Sequence, residues 1–94
     1  MKKLIIIGAS AMGRETYDYA RDCKIEVKGF LDSRKTILDN YEGYPRIIGP
    51  VDEYTPCAED VFICAIGDPV QKRRYCEEIA AKGGQFISIV HPYV

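Results

Sequence analysis

The chain alternates between short apolar runs and longer stretches in which apolar residues recur every three or four positions. Lys3-Leu4-Ile5-Ile6-Ile7 is an uninterrupted run that stops at Gly8, the pattern of a parallel strand covered on both faces. From about Gly13 to Asp22, Tyr17 and Ala20 share one helical face while Arg14, Asp18 and Arg21 share another, which predicts an amphipathic helix. A second strand is expected over residues 26–31, ending at Asp32. Residues 33–50 are richer in Gly, Pro, Asn and Asp and read as a loop with one edge strand within 43–49,. Val51-Asp52-Glu53-Tyr54 suggests a brief helix that Pro56 stops,. Residues 60–66 form another apolar run, and Gly67-Asp68-Pro69 then opens a helix with proline at a favoured early position,. That helix is expected to reach about Lys82, with Tyr75, Ile79 and Ala80 turned inward and Gly83-Gly84 closing it,. Residues 86–90 read as a last strand, followed by His91-Pro92-Tyr93-Val94.

This alternation predicts an α/β fold, a Rossmann-like three-layer sandwich whose mostly parallel sheet has four or five strands, with right-handed crossovers and helices on both faces. Ninety-four residues make a single domain, 1–94,. Hydrophobic residues at 47% and charged residues at 29% are ordinary for a folded domain,. A net charge of −1 gives no global attraction to nucleic acid or to an anionic membrane, so any anion must be bound locally. Cys23, Cys57, Cys64 and Cys76 form no CxxC pair and the single histidine, His91, offers no metal cluster or triad,; no metal site is expected. Cys64 reads as a small buried apolar residue. Without a signal peptide or long apolar run, a cytoplasmic location with reduced thiols is expected.

The first strand runs into Gly8-Ala9-Ser10-Ala11-Met12-Gly13. Gly8 permits a sharp turn, and Gly13 permits close approach of the helix to the strand or of a ligand to the chain. The first N–H groups of the helix lack intrahelical partners and carry the positive end of its dipole, so a phosphate-bearing ligand, a nucleotide, is expected there. Ser10 stands where the GxGxxG dinucleotide pattern has its middle glycine,. Asp32 lies 24 residues after Gly8, near the offset at which an acid accepts from a ribose hydroxyl; alternatively it is a turn or N-cap aspartate. Asp68, after Gly67, either contacts the ligand or caps its helix. Lys72, Arg73 and Arg74 oppose the helix dipole, which points to a nearby anion or to a solvated basic face.

Five motifs in order, Gly8-Ala9-Ser10 with Gly13-Arg14-Glu15, Gly29-Phe30-Leu31-Asp32, Gly43-Tyr44-Pro45-Arg46-Ile47-Ile48-Gly49, Ala65-Ile66-Gly67-Asp68 and His91-Pro92, cover nearly the whole chain. Together they resemble the amino-terminal domain of nucleotide-sugar acyltransferases of the sialic-acid and bacillosamine type. Two departures stand out: Ala11 and Met12 occupy the family's Gly-His, and Lys72 replaces an arginine that cannot be matched by lysine in a bidentate fork,. The resemblance implies a UDP-sugar-binding domain of an acetyl-CoA-dependent sugar O- or N-acyltransferase. Gly8, Ser10 and Gly13 would cradle phosphates, Asp32 and Asp68 would orient ribose, base or sugar, and Ala9, Ala11, Met12, Gly67 and Lys72 would complete the substrate-binding set. In the family a left-handed β-helix of hexapeptide repeats binds acetyl-CoA, carries the catalytic histidine and builds a homotrimer. That β-helix is expected to be missing here, leaving a domain that binds no acetyl-CoA, has no catalytic residue and is inactive alone. The other readings are a small NAD- or CoA-binding Rossmann domain and an interaction module with an empty cleft.

Overall fold

The structure, a computed structural model, describes residues 2–88. Its sheet has five parallel strands, β1 (Lys3–Ile7), β2 (Val27–Leu31), β3 (Ile47–Gly49), β4 (Asp60–Cys64) and β5 (Gln85–Phe86), in the order β3-β2-β1-β4-β5. Helix α1 (Ala11–Asp22) links β1 to β2, and α2 (Pro69–Ala81) links β4 to β5. From the centre the chain steps outward in opposite directions, so crossovers of one hand place the two helices on opposite faces.

Period-two alternation divides the core accordingly. Leu4, Ile6, Phe30 and Val61 are buried with Ala20 of α1, while Ile5, Ile7, Leu31 and Phe62 are buried with Ile79 of α2. Each such aliphatic side chain contributes about 2 kcal/mol through its removal from water. The Rossmann-like three-layer α/β sandwich expected from the alternation of elements is thus the observed fold. In place of a helix between β2 and β3, a loop lays Ile37, Leu38 and Tyr44 on the α1 side. A 3₁₀ turn at Val51–Glu53 follows β3 and packs Val51 on the α2 side.

Boundaries differ from expectation in ways the packing explains. Helix α1 begins at Ala11, with Ser10 as its N-cap, so Ala11 and Met12 belong to the first helical turn. β4 ends at Cys64 because Ala65 turns out of the ladder after donating its N–H to the Ile7 carbonyl, 2.8 Å. Ala80 is exposed, one position past the inward-facing Ile79. The last strand is shorter than expected, Gln85–Phe86, with Ile87 and Ser88 already beyond it; residues 89–90 of that expectation, and His91-Pro92, lie outside the described residues.

Candidate functional site

The strand ends are in register. Ile7 pairs with Leu31 on one side and with Cys64 on the other, and Leu31 pairs with Gly49. The segments leaving β1, β2, β3 and β4 therefore emerge at one level, beside the point where strand order reverses, where ligands of open α/β sheets bind. A cavity of about 570 Å³ lies there, within the range that holds one small ligand. Gly8 and Ser10 contribute from the first segment, Asp32 and Arg34 from the second, Pro50 and Asp52 from the third, and Gly67 and Asp68 from the fourth; Gln71, Arg74, Tyr75 and Glu78 of α2 complete the wall.

The turn after β1 is held by geometry that only glycine satisfies. Gly8 has φ +96, and a Cβ there would sit 2.9 Å from the Ala65 carbonyl oxygen; its N–H donates to the Leu31 carbonyl at 2.8 Å. Ser10 makes no side-chain cap to α1, and no acidic residue occupies that helix's first turn. The hydroxyl of Ser10 and the positive end of α1 thus remain available at the cavity edge. Ala9 itself is fully buried, Met12 is half exposed, and neither they nor Ala11 and Gly13 line the cavity. Arg14 braces the turn from behind, donating to the Ala9 carbonyl at 3.3 Å and lying 3.9 Å over the Tyr41 ring.

Asp32 is 6% exposed. Its Oδ2 accepts from the Ala9 N–H at 3.0 Å and from Arg34 Nη2 at 2.7 Å, while Oδ1 accepts from the Arg34 N–H at 2.9 Å and Nε at 2.8 Å. Four donors fill the roughly four lone-pair positions of a carboxylate. Burial works against ionisation, but the hydrogen bonds from Arg34 and Ala9 outweigh it and hold the carboxyl below its usual range. What Asp32 presents to the cavity is therefore Arg34, locked by a bidentate pair and still carrying unused N–H donors.

Asp68 takes the capping alternative, its Oδ1 accepting from the Val70 N–H at 3.1 Å at the start of α2. Lys72 lies apart from the cleft, in a groove with Thr16, Cys64 and Cys76. The cation that α2 does supply is Arg74, whose Nε lies 3.5 Å from Oε1 of Glu78. Residues 71, 74, 75 and 78 follow the helical spacing of one face, a signal present in the sequence; Arg34 and Glu78 were outside the sequence-derived set. Lys82 closes the wall from behind, donating to the carbonyls of Val51, Asp52 and Tyr54 at 3.2, 3.1 and 2.9 Å and so pinning the 3₁₀ turn to the end of α2. No cluster of metal-ligating side chains is found among the described residues.

Fold and cavity define a Rossmann-like α/β domain with a cleft at its topological switch point. Residues 3–79 match the PglD N-terminal domain, and the chain belongs to that family. PglD is a bacillosamine acetyltransferase, so the family is that of an amino-terminal domain of a sugar acetyltransferase. A search of curated proteins gave no match. Among the described residues no helix is long and apolar enough to cross a membrane.

Proposed function

We propose that this chain is the part of a sugar acetyltransferase that binds the nucleotide-sugar acceptor, a UDP-sugar, and that acetyl-CoA is handled elsewhere in the enzyme. The observation that carries the reading is the mixed lining of the cavity. Arg34, Arg74 and the Ser10 hydroxyl supply donors, while Asp52, Asp68 and Glu78 supply carboxylates in the same space. Such a wall disfavours a bare polyanion. It suits a ligand that joins anionic oxygens to neutral hydroxyl and N–H donors, as a nucleoside diphosphate sugar does. In this reading the α1 terminus, Ser10 and Arg34 meet the diphosphate, and Asp32 acts by fixing Arg34 and the Ala9 turn together.

Titration calorimetry with UDP, a UDP-amino-sugar, uridine, NADH and CoA tests it. UDP and the UDP-sugar should bind, uridine at least about tenfold more weakly because the charge-assisted contacts are lost. Arg34→Met should reduce UDP affinity by a similar factor and leave uridine unaffected. Preferential binding of NADH or CoA, or equal affinity for uridine and UDP, would overturn the proposal.

A further inference from the structure

Cys64 and Cys76 come together where α2 passes the end of β4. Alternation along β4 turns Cys64 to the α2 side, as it turns Phe62 two residues earlier,. Phe62 is buried with Ile79. Because β4 and β5 are parallel, α2 runs back against them, so Cys76, one helical turn before Ile79, stands at the level of Cys64. The two thiols are in hydrogen-bonding contact. Both are half-buried and line one groove together with Lys72, so Cys64 departs from the fully buried apolar role that its sequence context suggests.

From this placement we infer that Cys64 and Cys76 are a site of reversible oxidation, a dithiol that a peroxide closes to a disulfide and a dithiol reductant reopens. Cys76 reacts first. Burial pushes the Cys64 thiol up to about 12, with Cys76 adding to the rise, so Cys64 stays protonated at neutral pH and is a poor nucleophile. Lys72, one turn before Cys76 on α2, places a cation in the same groove, which favours thiolate there. The Cys76 sulfur attacks one peroxide oxygen, the O–O bond breaks, and a sulfenic acid and water result. This neutral group no longer repels a charge on Cys64. The Cys64 sulfur then attacks the sulfenic sulfur, the S–O bond breaks, and the displaced hydroxide leaves as water with the Cys64 proton. Two thiols have lost two electrons and one peroxide has become two waters. The new bond ties the end of β4 to α2 beside Ile66, Gly67 and Asp68, which line the cavity. The inference is independent of the nucleotide reading.

The experiment treats the reduced 94-residue chain with stoichiometric hydrogen peroxide, alkylates it under denaturing conditions and maps its peptides by mass spectrometry. Cys64 and Cys76 should be joined within one chain as the dominant pair, Cys23 and Cys57 should remain alkylatable, and dithiothreitol should restore all four thiols. Cys64→Ser should leave Cys76 as a sulfenic acid that dimedone captures, and Cys76→Ser should leave Cys64 a free thiol. The thermal midpoint of the parent chain should rise by about 5 °C or more on oxidation, because a cross-link that fits the native geometry restricts only the unfolded chain; neither serine variant should show the rise. Absence of the Cys64–Cys76 bond, or bonds to Cys23 or Cys57 in its place, overturns the inference. A falling midpoint also overturns it, since the bond would then form only by pulling β4 and α2 out of place. Dimedone capture of Cys64 in Cys76→Ser overturns the assignment of Cys76 as the attacking thiol.

Discussion

At Gly13 the packing leaves no space for a side chain. A Cβ there would lie 1.9 Å from the carbonyl oxygen of Gly8, a backbone atom that cannot swing aside. Helix α1 thus rests its first turn directly on the turn that ends β1. Of the two uses for Gly13 that the sequence left open, close helix packing is the one realised, and the residue does not line the cavity. Gly13→Ala gains about 1 kcal/mol of helix propensity, but the clash it creates belongs with overpacked cores, which lose about 3 kcal/mol and sometimes more. The clash should win. Urea unfolding should show a lower midpoint with an unchanged slope; an unshifted midpoint would mean that α1 can lift away without cost. A bulkier Gly13→Val would unfold or displace α1 before it reported on ligand binding, so Arg34 and Glu78 are the better probes. Neither stood out in the sequence. Arg34 is held at the cavity by a bidentate contact with Asp32 two residues away, and Glu78 reaches it by its phase on α2 beside Arg74; composition records neither relation.

The elements themselves were readable because each carries its own period. The aliphatic run of β1, the apolar run of β4 and the Asp68-Pro69 start of α2 are local signals that tertiary packing did not override. Helix phase was harder to place. Two residues apart on a helix differ by about 200°, so Lys72 and Arg74, at the two ends of the basic stretch, fall on different sides, and of these two Arg74 meets the cleft. A second network, at the amino-terminal end of the strands, ties elements together away from the cavity. Asp60 opens β4 and is 3% exposed; its Oδ2 accepts from the Tyr54 hydroxyl at 2.6 Å and the Cys57 N–H at 2.8 Å, and its Oδ1 lies 3.2 Å from Lys28 Nζ. Burial pushes the Tyr54 hydroxyl up to about 12, with Asp60 adding to the rise, so it stays a neutral donor at physiological pH. For Asp60 burial again opposes ionisation, but Tyr54, Cys57 and Lys28 outweigh it and leave the folded carboxyl below its usual value. Protonation therefore favours the unfolded chain. The contribution of Asp60 is complete above the unfolded value of about 4 and is lost as pH falls from there through the lower folded value; Asp32 shifts in the same direction. The thermal midpoint should be flat from neutral pH to about 5 and drop below about 4. Asp60→Asn should lower stability at neutral pH by about 2–4 kcal/mol and make the acid limb shallower. Parallel acid limbs in the two proteins would show that this network is not their source.

For the molecule as a whole, the register of the strand ends decides what can happen in the cleft. Four connecting segments and α2 converge on a cavity of about 570 Å³, within the range that holds one small ligand. Its wall includes two guanidinium groups, a serine hydroxyl, an Asp32 carboxylate committed to Arg34 and an Asp68 carboxylate that caps α2. Acyl transfer requires in addition an acyl donor aligned with the attacking amine or hydroxyl, which this reading places elsewhere in the enzyme. The 94-residue chain should therefore bind a UDP-amino-sugar and leave it unmodified. Mass spectrometry of the sugar after incubation with acetyl-CoA checks this, with calorimetry on the same preparation showing that the ligand is bound. An acetylated product above the protein-free blank would place chemistry, and not only recognition, in this fold. Bound and unacetylated sugar would confine the role of the domain to presenting the acceptor, an arrangement in which Arg34→Met and Glu78→Leu in a longer acetyltransferase carrying this domain would raise KM with little change in kcat, as expected when uniform binding energy is removed.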